Sequence, residues 1–457
     1  MIKMTRSKHA FLTISVTFAI LSFGINTAIA QENLTFYLSQ ALEANQSIKQ
    51  QNFQFERSLY ALKEAKGMFL PSVTFSTTYT KADGGRTIDF PTGDLLNQVY
   101  STLNQLTGSN SFPQLQNQSI LLNPDNFYDA KFRTSLPLIN AELIYNKRIK
   151  QQQVALQRTE VALYKRELVK DVKVAYYQYA KAVKAVKIYE SSLQLVEEGK
   201  RINTALLNNE KVNRTAVLRS ESEVVRIDAA LTAAIQNQKS AQAYFNFLIN
   251  RPLTDSIELD DMQILPVQDS LTDSQVDKRE ELLKLGIAKG IDENLTGLSR
   301  SYIVPKLSAF LDLGSQSFDW KFNDKSRYYL GGLSLTWNVF SSGVNSYKIK
   351  QARSEQQSLA AQTDYVEHQL KTELQVRKNE FQSALAQYHA AESQLKTAHT
   401  YYNDELKLYK EGLAIYIELL DAQNQLINAR LDLNITLFNA WITNAAIERA
   451  SASFSVQ

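Results

Sequence analysis

The amino-acid sequence predicts a mostly helical chain with a β-barrel part: long coiled-coil hairpins accompanied by four transmembrane β-strands. Three observations predict it. Leu138–Arg251 and Val344–Gln457 contain no proline and one glycine each, Gly199 and Gly412, among many Ala, Gln, Glu, Lys, Leu and Arg, which are strong helix formers. The segments before each stretch alternate apolar and polar residues over about ten positions. The second half of the chain repeats the order of the first.

The elements follow from the N-terminus. Residues 1–30 begin with Lys3, Arg6 and Lys8, continue through an apolar run from Phe11 to Phe23, and end in Ala28-Ile29-Ala30. This is the pattern of a secretory signal peptide, with a retained amphipathic anchor as the alternative. Fifty basic and 47 acidic side chains give the whole chain +3. The leader carries three basic residues and no acid, so the mature chain is formally neutral. That balance gives nucleic-acid binding no electrostatic support. With no cysteine, an exported chain is held by side-chain burial and not by disulfides, and has no thiol to acylate. No apolar run reaches the ~18–20 residues of a transmembrane helix.

A first structural repeat is expected over 31–266 and a second over 267–457. The first opens with a helix over about Phe36–Lys66, followed by a β-hairpin region over 70–138 and a helical hairpin over 141–250. The second opens with a helix over about Gln275–Arg300, followed by a β-hairpin over 304–340 and a helical hairpin over 344–453. In "PSVTFSTTYTK", Val73, Phe75, Thr77 and Tyr79 alternate with Ser and Thr. In "FYDAKFRTSLPL", Tyr128, Ala130, Phe132, Thr134 and Leu136 alternate with Asp129, Lys131, Arg133 and Ser135. "PKLSAFLDLGS" and "YYLGGLSLTW" do the same with Leu307, Ala309, Leu311 and Leu313, and with Tyr329, Leu333, Leu335 and Trp337. Four strands of about ten residues with one apolar face suit a bilayer. A soluble sandwich would call for more and shorter strands. The connection Gly84–Asn126 reads as a long polar loop, uncharged from Leu95 to Pro124; its counterpart near Gln316–Arg327 is much shorter.

The helical stretches carry seams. Leu374, Phe381, Tyr388, Leu395, Tyr402 and Tyr409 recur every seven residues, with Ala384, Ala391 and Ala398 three positions after large ones. Val172, Tyr179, Val186 and Leu193 repeat the series with a constant shift of 202. Heptads of alternating large and small residues are the sequence form of knobs-into-holes association. A helix from Val344 to about Glu411 would run about 100 Å at ~1.5 Å per residue, so a shaft or tube is expected. Four strands do not close a barrel, and open edges are not tolerated in lipid. Two copies would supply eight strands and three would supply twelve.

Taken in order, the leader, "LSQALEANQSIKQ", "LPSVTFS", the paired hairpins, "WNVFSSG" and "YKEGLAIYIELLDAQNQLINARLDL" resemble the TolC family of outer-membrane efflux proteins over essentially the whole mature chain. The resemblance implies a homotrimer: a twelve-stranded β-barrel in outer-membrane lipid on a twelve-helix α-barrel in the periplasm of a Gram-negative bacterium. It implies docking to a periplasmic adaptor protein and an inner-membrane transporter, and export of small molecules or proteins with no cofactor. One departure is Asn140-Ala141-Glu142, where the family usually has an aromatic residue and two glycines; the second half keeps Phe340 and Gly343.

The tips of the helical hairpins carry the candidate sites. Gly412 reads as the turn between helices, and by resemblance Glu411, Gly412, Leu413, Ala414, Lys211 and Val212 are the adaptor-binding tip. Glu418 and Asp421, at i, i+3, lie on one face early in the returning helix. There they either favour a helix N-terminus or, by resemblance, form an acidic, cation-binding pore constriction. The first-half turn differs: Glu210, Ala216 and Arg219 stand where the second half has Gly412, Glu418 and Asp421. Arg214 and Arg219 are therefore candidates to pair with the acids of neighbouring hairpins and hold the pore closed. Tyr409 is a weaker gate candidate, because Ala216 lacks the acidic partner the family uses there. An enzyme is not expected. After the leader only His368, His389 and His399 remain, without i, i+4 metal spacing, and there is no Gly-rich phosphate loop. The alternatives to a conduit are an adhesive or structural trimeric coiled coil at the surface and a passive porin. The coiled coil would lack amphipathic β-hairpins; the porin would need more strands and no shaft.

Overall fold

The computed structural model describes residues 32–262, 265–266 and 276–454. The leader read over 1–30 and the first residue of the helix expected from Gln275 lie outside them. In chain order the elements are α1 (Glu32–Ala44), α2 (Gln46–Gly67), β1 (Ser72–Thr80), β2 (Thr87–Phe90), α3 (Thr92–Thr107), β3 (Gln118–Leu121), β4 (Phe127–Ile139), α4 (Ala141–Asn208), α5 (Arg214–Leu248), α6 (Glu280–Arg300), a 3-10 turn (Ser301–Ile303), β5 (Lys306–Phe318), β6 (Arg327–Thr336), α7 (Val344–Glu411) and α8 (Tyr416–Ala450). Both helical hairpins consist of a 68-residue helix followed by a 35-residue one. Among the described residues no helix is long and apolar enough to cross a membrane.

The chain forms two compact units. The helical unit takes in the described residues up to Ser58, Val154–Lys289 and those from Gln357 onward; the sheet unit takes in Leu59–Gln153 and Gly290–Gln356.

In the sheet unit, four antiparallel strands lie in the order β1-β4-β5-β6. Cross-strand register puts Phe75, Phe132, Leu313 and Tyr329 in one row and Leu136, Ala309 and Leu333 in another. This face is exposed, with Tyr329 81% and Phe75 61% accessible. The intervening positions form the polar face. There Arg133 grips Asp312 with two hydrogen bonds of 2.7 and 2.6 Å, and Tyr328 donates to Asp129 at 2.7 Å. Opposite faces of opposite character follow from the period of two along a strand. The strand ends at the β1–β4 and β5–β6 connections carry an aromatic cluster in which Trp320 stacks on Tyr79 and Tyr128 at 5.2 and 5.3 Å. Among the described residues the outer edges of β1 and β6 are unpaired.

Two elements differ from the sequence expectation. The opening helix divides at Asn45, whose side-chain oxygen accepts from the backbone N–H groups of Ser47 and Ile48. Its amide nitrogen donates to the carbonyl of Leu248. A buried asparagine tied across the fold ends one helix and caps the next. The Gly84–Asn126 connection is not a simple loop: it holds the β2–β3 ribbon and α3.

In the helical unit the main core gathers Leu34, Tyr37, Val172, Tyr176, Phe245 and Phe438 from α1, α4, α5 and α8. Asp260 accepts from the N–H groups of Asn33 and Leu34 at the start of α1 and from the hydroxyl of Tyr176. The predicted seam is buried at Leu374, Phe381, Ala384, Ala391, Ala398, Tyr402 and Tyr409.

Beside this core lies an ionic lattice. Arg166 pairs with Glu280, both nearly buried, at 2.7 Å. Arg279 bonds Glu281, Glu373 and the carbonyl of Ala450. Arg449 bonds Glu167 and Glu281, and Lys173 pairs with Glu448. Burial pushes the Glu281 carboxyl up, but the Arg279 and Arg449 guanidinium groups outweigh it and hold it at about 2. A carboxylate depressed below its unfolded value of 4.5 stabilises the fold fully above that pH. The contribution falls as pH drops toward about 2. Thermal unfolding followed from pH 7 to pH 2.5 is therefore expected to be flat with respect to Glu281 down to about pH 4.5 and to decline below it; Glu281→Gln should flatten that decline. Glu280→Gln, which leaves the Arg166 charge buried without its carboxylate, is expected to cost about 3–5 kcal/mol at pH 7, and Arg166→Met in the same chain to recover most of it.

Candidate functional site

The tips of the two helical hairpins are built by the same backbone bonds. At the second, Gly412 N–H donates to the Tyr409 carbonyl and Leu413 N–H to the Leu408 carbonyl. At the first, Glu210 N–H donates to Leu207 and Lys211 N–H to Leu206. This is the Schellman pattern, which requires a left-handed residue just past the helix. Gly412 takes it at φ 78° and Glu210 at φ 57°. The glycine is thus the unstrained choice for this turn, and Glu210 adopts the same conformation with a side chain attached.

The returning helices start with opposite halves of one capping device. In α5 the N-cap Asn213 accepts, through its side chain, from the N–H of Ala216 at 3.3 Å. In α8 the N-cap is Ile415, which has no acceptor, and Glu418 three residues on accepts from the Ile415 N–H at 3.1 Å. A side chain at either end of the S/T/N-x-x-E relation satisfies one orphan donor of a helix start. Glu418 therefore caps α8. Asp421 is exposed one turn on and accepts from Gln425 at 2.8 Å. Burial raises the Tyr401 hydroxyl, and the charges of Asp421, Glu405 and Glu418 raise it further. Glu405 thus acts on the same hydroxyl as the two acids singled out in the sequence. Glu405 falls 202 residues after Asn203, on the same seam, and its Oε2 is buried without a hydrogen-bond partner.

Arg214 and Arg219 are both exposed on α5. Within one protomer, among the described residues, neither is ion-paired with Glu418 or Asp421. A polar link that does cross from α5 to α8 is made by Arg226, which donates to Asn424 at 2.7 Å. Lys211, Glu411, Gly412 and Leu413 are exposed, and Val212 and Ala414 half-buried. Leu413, Ile415 and Ile417 leave an apolar cluster open at the second tip.

Tyr409 is buried. Its ring lies 5.8 Å from that of Tyr416, within a cluster of Ala216, Tyr402, Leu419, Ala422 and Leu426. Its hydroxyl donates to the side-chain oxygen of the fully buried Asn203 on α4, whose amide donates to the Ala216 carbonyl at 3.3 Å. Where the acidic partner is missing, Asn203 supplies the acceptor, and Tyr409 ties the second hairpin to the first. The sequence does signal Asn203, as a polar residue at a seam position seven after Val196. Burial also pushes the nearby Tyr416 hydroxyl up to about 12. Among the described residues no three His, Cys, Asp or Glu side chains are grouped to hold a metal within one protomer.

Comparison with known proteins bears on the fold. Residues 294–451 match the family model described as outer membrane efflux protein. No curated protein matches the chain by sequence. Among solved structures, the outer-membrane channel OprN superposes with a TM-score of 0.75 at 14% identity, covering 92% of this chain and 90% of that one. The outer membrane protein VceC of Vibrio cholerae superposes with 0.74 at 14% identity over 92% and 97%. The open state of the MtrE outer membrane channel of Neisseria gonorrhoeae gives 0.71 at 16% identity over 92% and 88%. The fold is therefore that of these channels.

Removing the Tyr409 hydroxyl leaves the Asn203 oxygen buried without a donor, so Tyr409→Phe is expected to destabilise the tip by about 1–3 kcal/mol. Hydrogen exchange should speed at 203–216 and 409–420 and stay unchanged around Tyr176. Glu210→Gly removes a side chain from a left-handed residue and is expected to stabilise the first tip by about 1 kcal/mol. Slower amide exchange at Lys211 would show it; exchange faster than in the parent would contradict it.

Proposed function

We propose that the chain is an outer membrane efflux protein, as the match over residues 294–451 suggests, and that three copies of it form the exit duct of a tripartite efflux pump or a type I secretion system. The observation that carries this reading is the four-stranded sheet: apolar and exposed on one face, charged and hydrogen-bonded on the other, unpaired at both edges. Edges of this kind are stable in lipid only when another copy pairs with them, and three copies give a twelve-stranded barrel. The equal lengths of the two helical hairpins make a trimer pseudo-sixfold, as a twelve-helix tube requires. The sheet serves the outer membrane and the helices the periplasm. A surface coiled coil has no use for an amphipathic sheet, and a passive porin has none for 68-residue helices.

The tips receive cargo from a periplasmic adaptor and an inner-membrane transporter, with Leu413 and its exposed neighbours as the apolar contact. Three copies bring six carboxylates of Glu418 and Asp421 to one end of the tube, with Glu405 behind them. Rings of acid favour cations and bind multivalent ones. Arg219 of one hairpin neutralises Asp421 or Glu418 of its neighbour in the closed state. Each exposed pair is worth only about 0–1 kcal/mol, so the closed state depends on several acting together.

Purified from membranes, the protein is expected to run as a heat-modifiable trimer and to form cation-selective pores of low conductance in planar bilayers. Asp421→Asn should lower the cation preference and weaken block by trivalent cations, while Arg219→Ala should raise conductance. A monomer without pore activity would overturn the duct; an intact trimer whose conductance ignores Arg219→Ala would overturn the arginine pairing alone.

A further inference from the structure

The β1–β4 connection carries more structure than a loop needs. It leaves the end of β1, extends as the β2–β3 ribbon and encloses α3. One face of α3 is fixed to the segment that follows it. Asn97 exchanges two hydrogen bonds with the backbone of Leu115, at 2.9 and 2.7 Å. Asn104 does the same with Phe112, at 2.7 and 3.0 Å. The Asn117 side chain accepts from the N–H groups of Gly93 and Asp94, and Gly108 ends the helix in the left-handed conformation. The helix is therefore held at both ends and along one side by amide bonds.

Its opposite face is apolar and open. At 100° per residue, Leu95, Val99 and Leu106 fall within an arc of about 40°, and they are 69%, 52% and 78% exposed. The amide-bonded positions 97 and 104 lie on the far side of the helix. No Asp, Glu, Lys, Arg or His occurs from Leu95 to Pro124. A solvent-facing surface carries charge, and one lying on anionic lipid headgroups carries Lys or Arg; this one has neither.

The topology indicates the occupant. The insertion grows from β1, the edge strand that must pair with β6 of the next copy if the barrel closes. Each copy therefore starts its α3 at the junction between copies, and all three insertions stand at the same end of the barrel. We propose that the Leu95–Val99–Leu106 stripes of three copies pack against one another and cap the outer mouth, making an apolar constriction in addition to the acidic one at the tips. Hydrophobic constrictions gate by dewetting, so such a cap would restrict large hydrophilic solutes while yielding to amphipathic cargo. The inference rests on the trimeric barrel reading above.

The cysteine-free sequence makes a direct test possible. Full-length Val99→Cys and Leu106→Cys proteins in outer membranes, oxidised and run on non-reducing gels, are expected to give disulfide-linked dimers. Gln105→Cys and Thr107→Cys, about 100° to either side of Leu106, should give none. Trimer content is measured on the same samples by native electrophoresis. Intact trimers without cross-links at the stripe would overturn the cap and leave the duct standing; absence of trimers would overturn both. A fluorophore at Val99→Cys quenched by nitroxide-labelled lipid would assign the stripe to the bilayer and likewise overturn the cap. In the reverse direction, Leu106→Asp is expected to raise single-channel conductance without loss of trimer; a trimer of unchanged conductance would count against a constriction at this site.

Discussion

Everything in this chain follows from two unpaired strand edges. A four-stranded sheet whose apolar face suits lipid has no water at its edges to satisfy the N–H and C=O groups of β1 and β6. In the proposed trimer other copies of the chain meet that requirement. The polar face keeps its charges neutralised within one protomer, Arg133 on Asp312 and Lys131 on Asp129, so closing the barrel traps no lone charge on that row. Each half supplies two strands to the four-stranded sheet and one helical hairpin, so strand and hairpin numbers rise together as copies are added.

The duplicated halves have diverged where divergence changes chemistry and stayed alike where it would change geometry. Both tips keep a left-handed residue, the same pair of backbone bonds and the same helix lengths. Within that frame the capping device has been divided, Asn213 at one start and Glu418 at the other. A carboxylate that caps a helix is fixed in position at little conformational cost, so Glu418 provides a stationary charge at the tip. Tyr409 and Asn203 lock the unlike hairpins of one protomer together.

Much of this was legible in the sequence. Period-two alternation in "PSVTFSTTYTK" and its three counterparts fixed the strands and their faces, and the heptads through Phe381 and Tyr402 fixed the buried seam, because both depend on short-range periodicity. Features that depend on pairing between distant residues were not legible. Asn45 divides the opening helix through bonds that include one to Leu248, across 203 residues. The Gly84–Asn126 connection read as a loop because it is polar and uncharged from Leu95 to Pro124, and its Asn, Ser, Gly and Pro are turn formers by composition. Its asparagines instead bond the backbone of a segment folded back on α3, a relation no local pattern displays. Asn203 and Glu405 were visible as polar residues on an apolar seam, but only the fold shows what each one meets.

The divided caps and the inserted helix share one consequence for the tube. In the proposed duct two constrictions differ in chemistry: carboxylates and arginines at the helical tips, and aliphatic side chains on α3. A charged constriction discriminates by sign and multivalency, and its barrier falls with ionic strength. An apolar one discriminates by solute hydration and is insensitive to salt. In the proposed duct, cargo selected by charge at one constriction would still have to shed water at the other, so the duct would pass amphipathic molecules delivered by a pump while restricting large hydrophilic solutes. The uncharged sequence from Leu95 to Pro124 is consistent with that division, since a single lysine or aspartate on the stripe would hydrate the second constriction and merge the two filters into one.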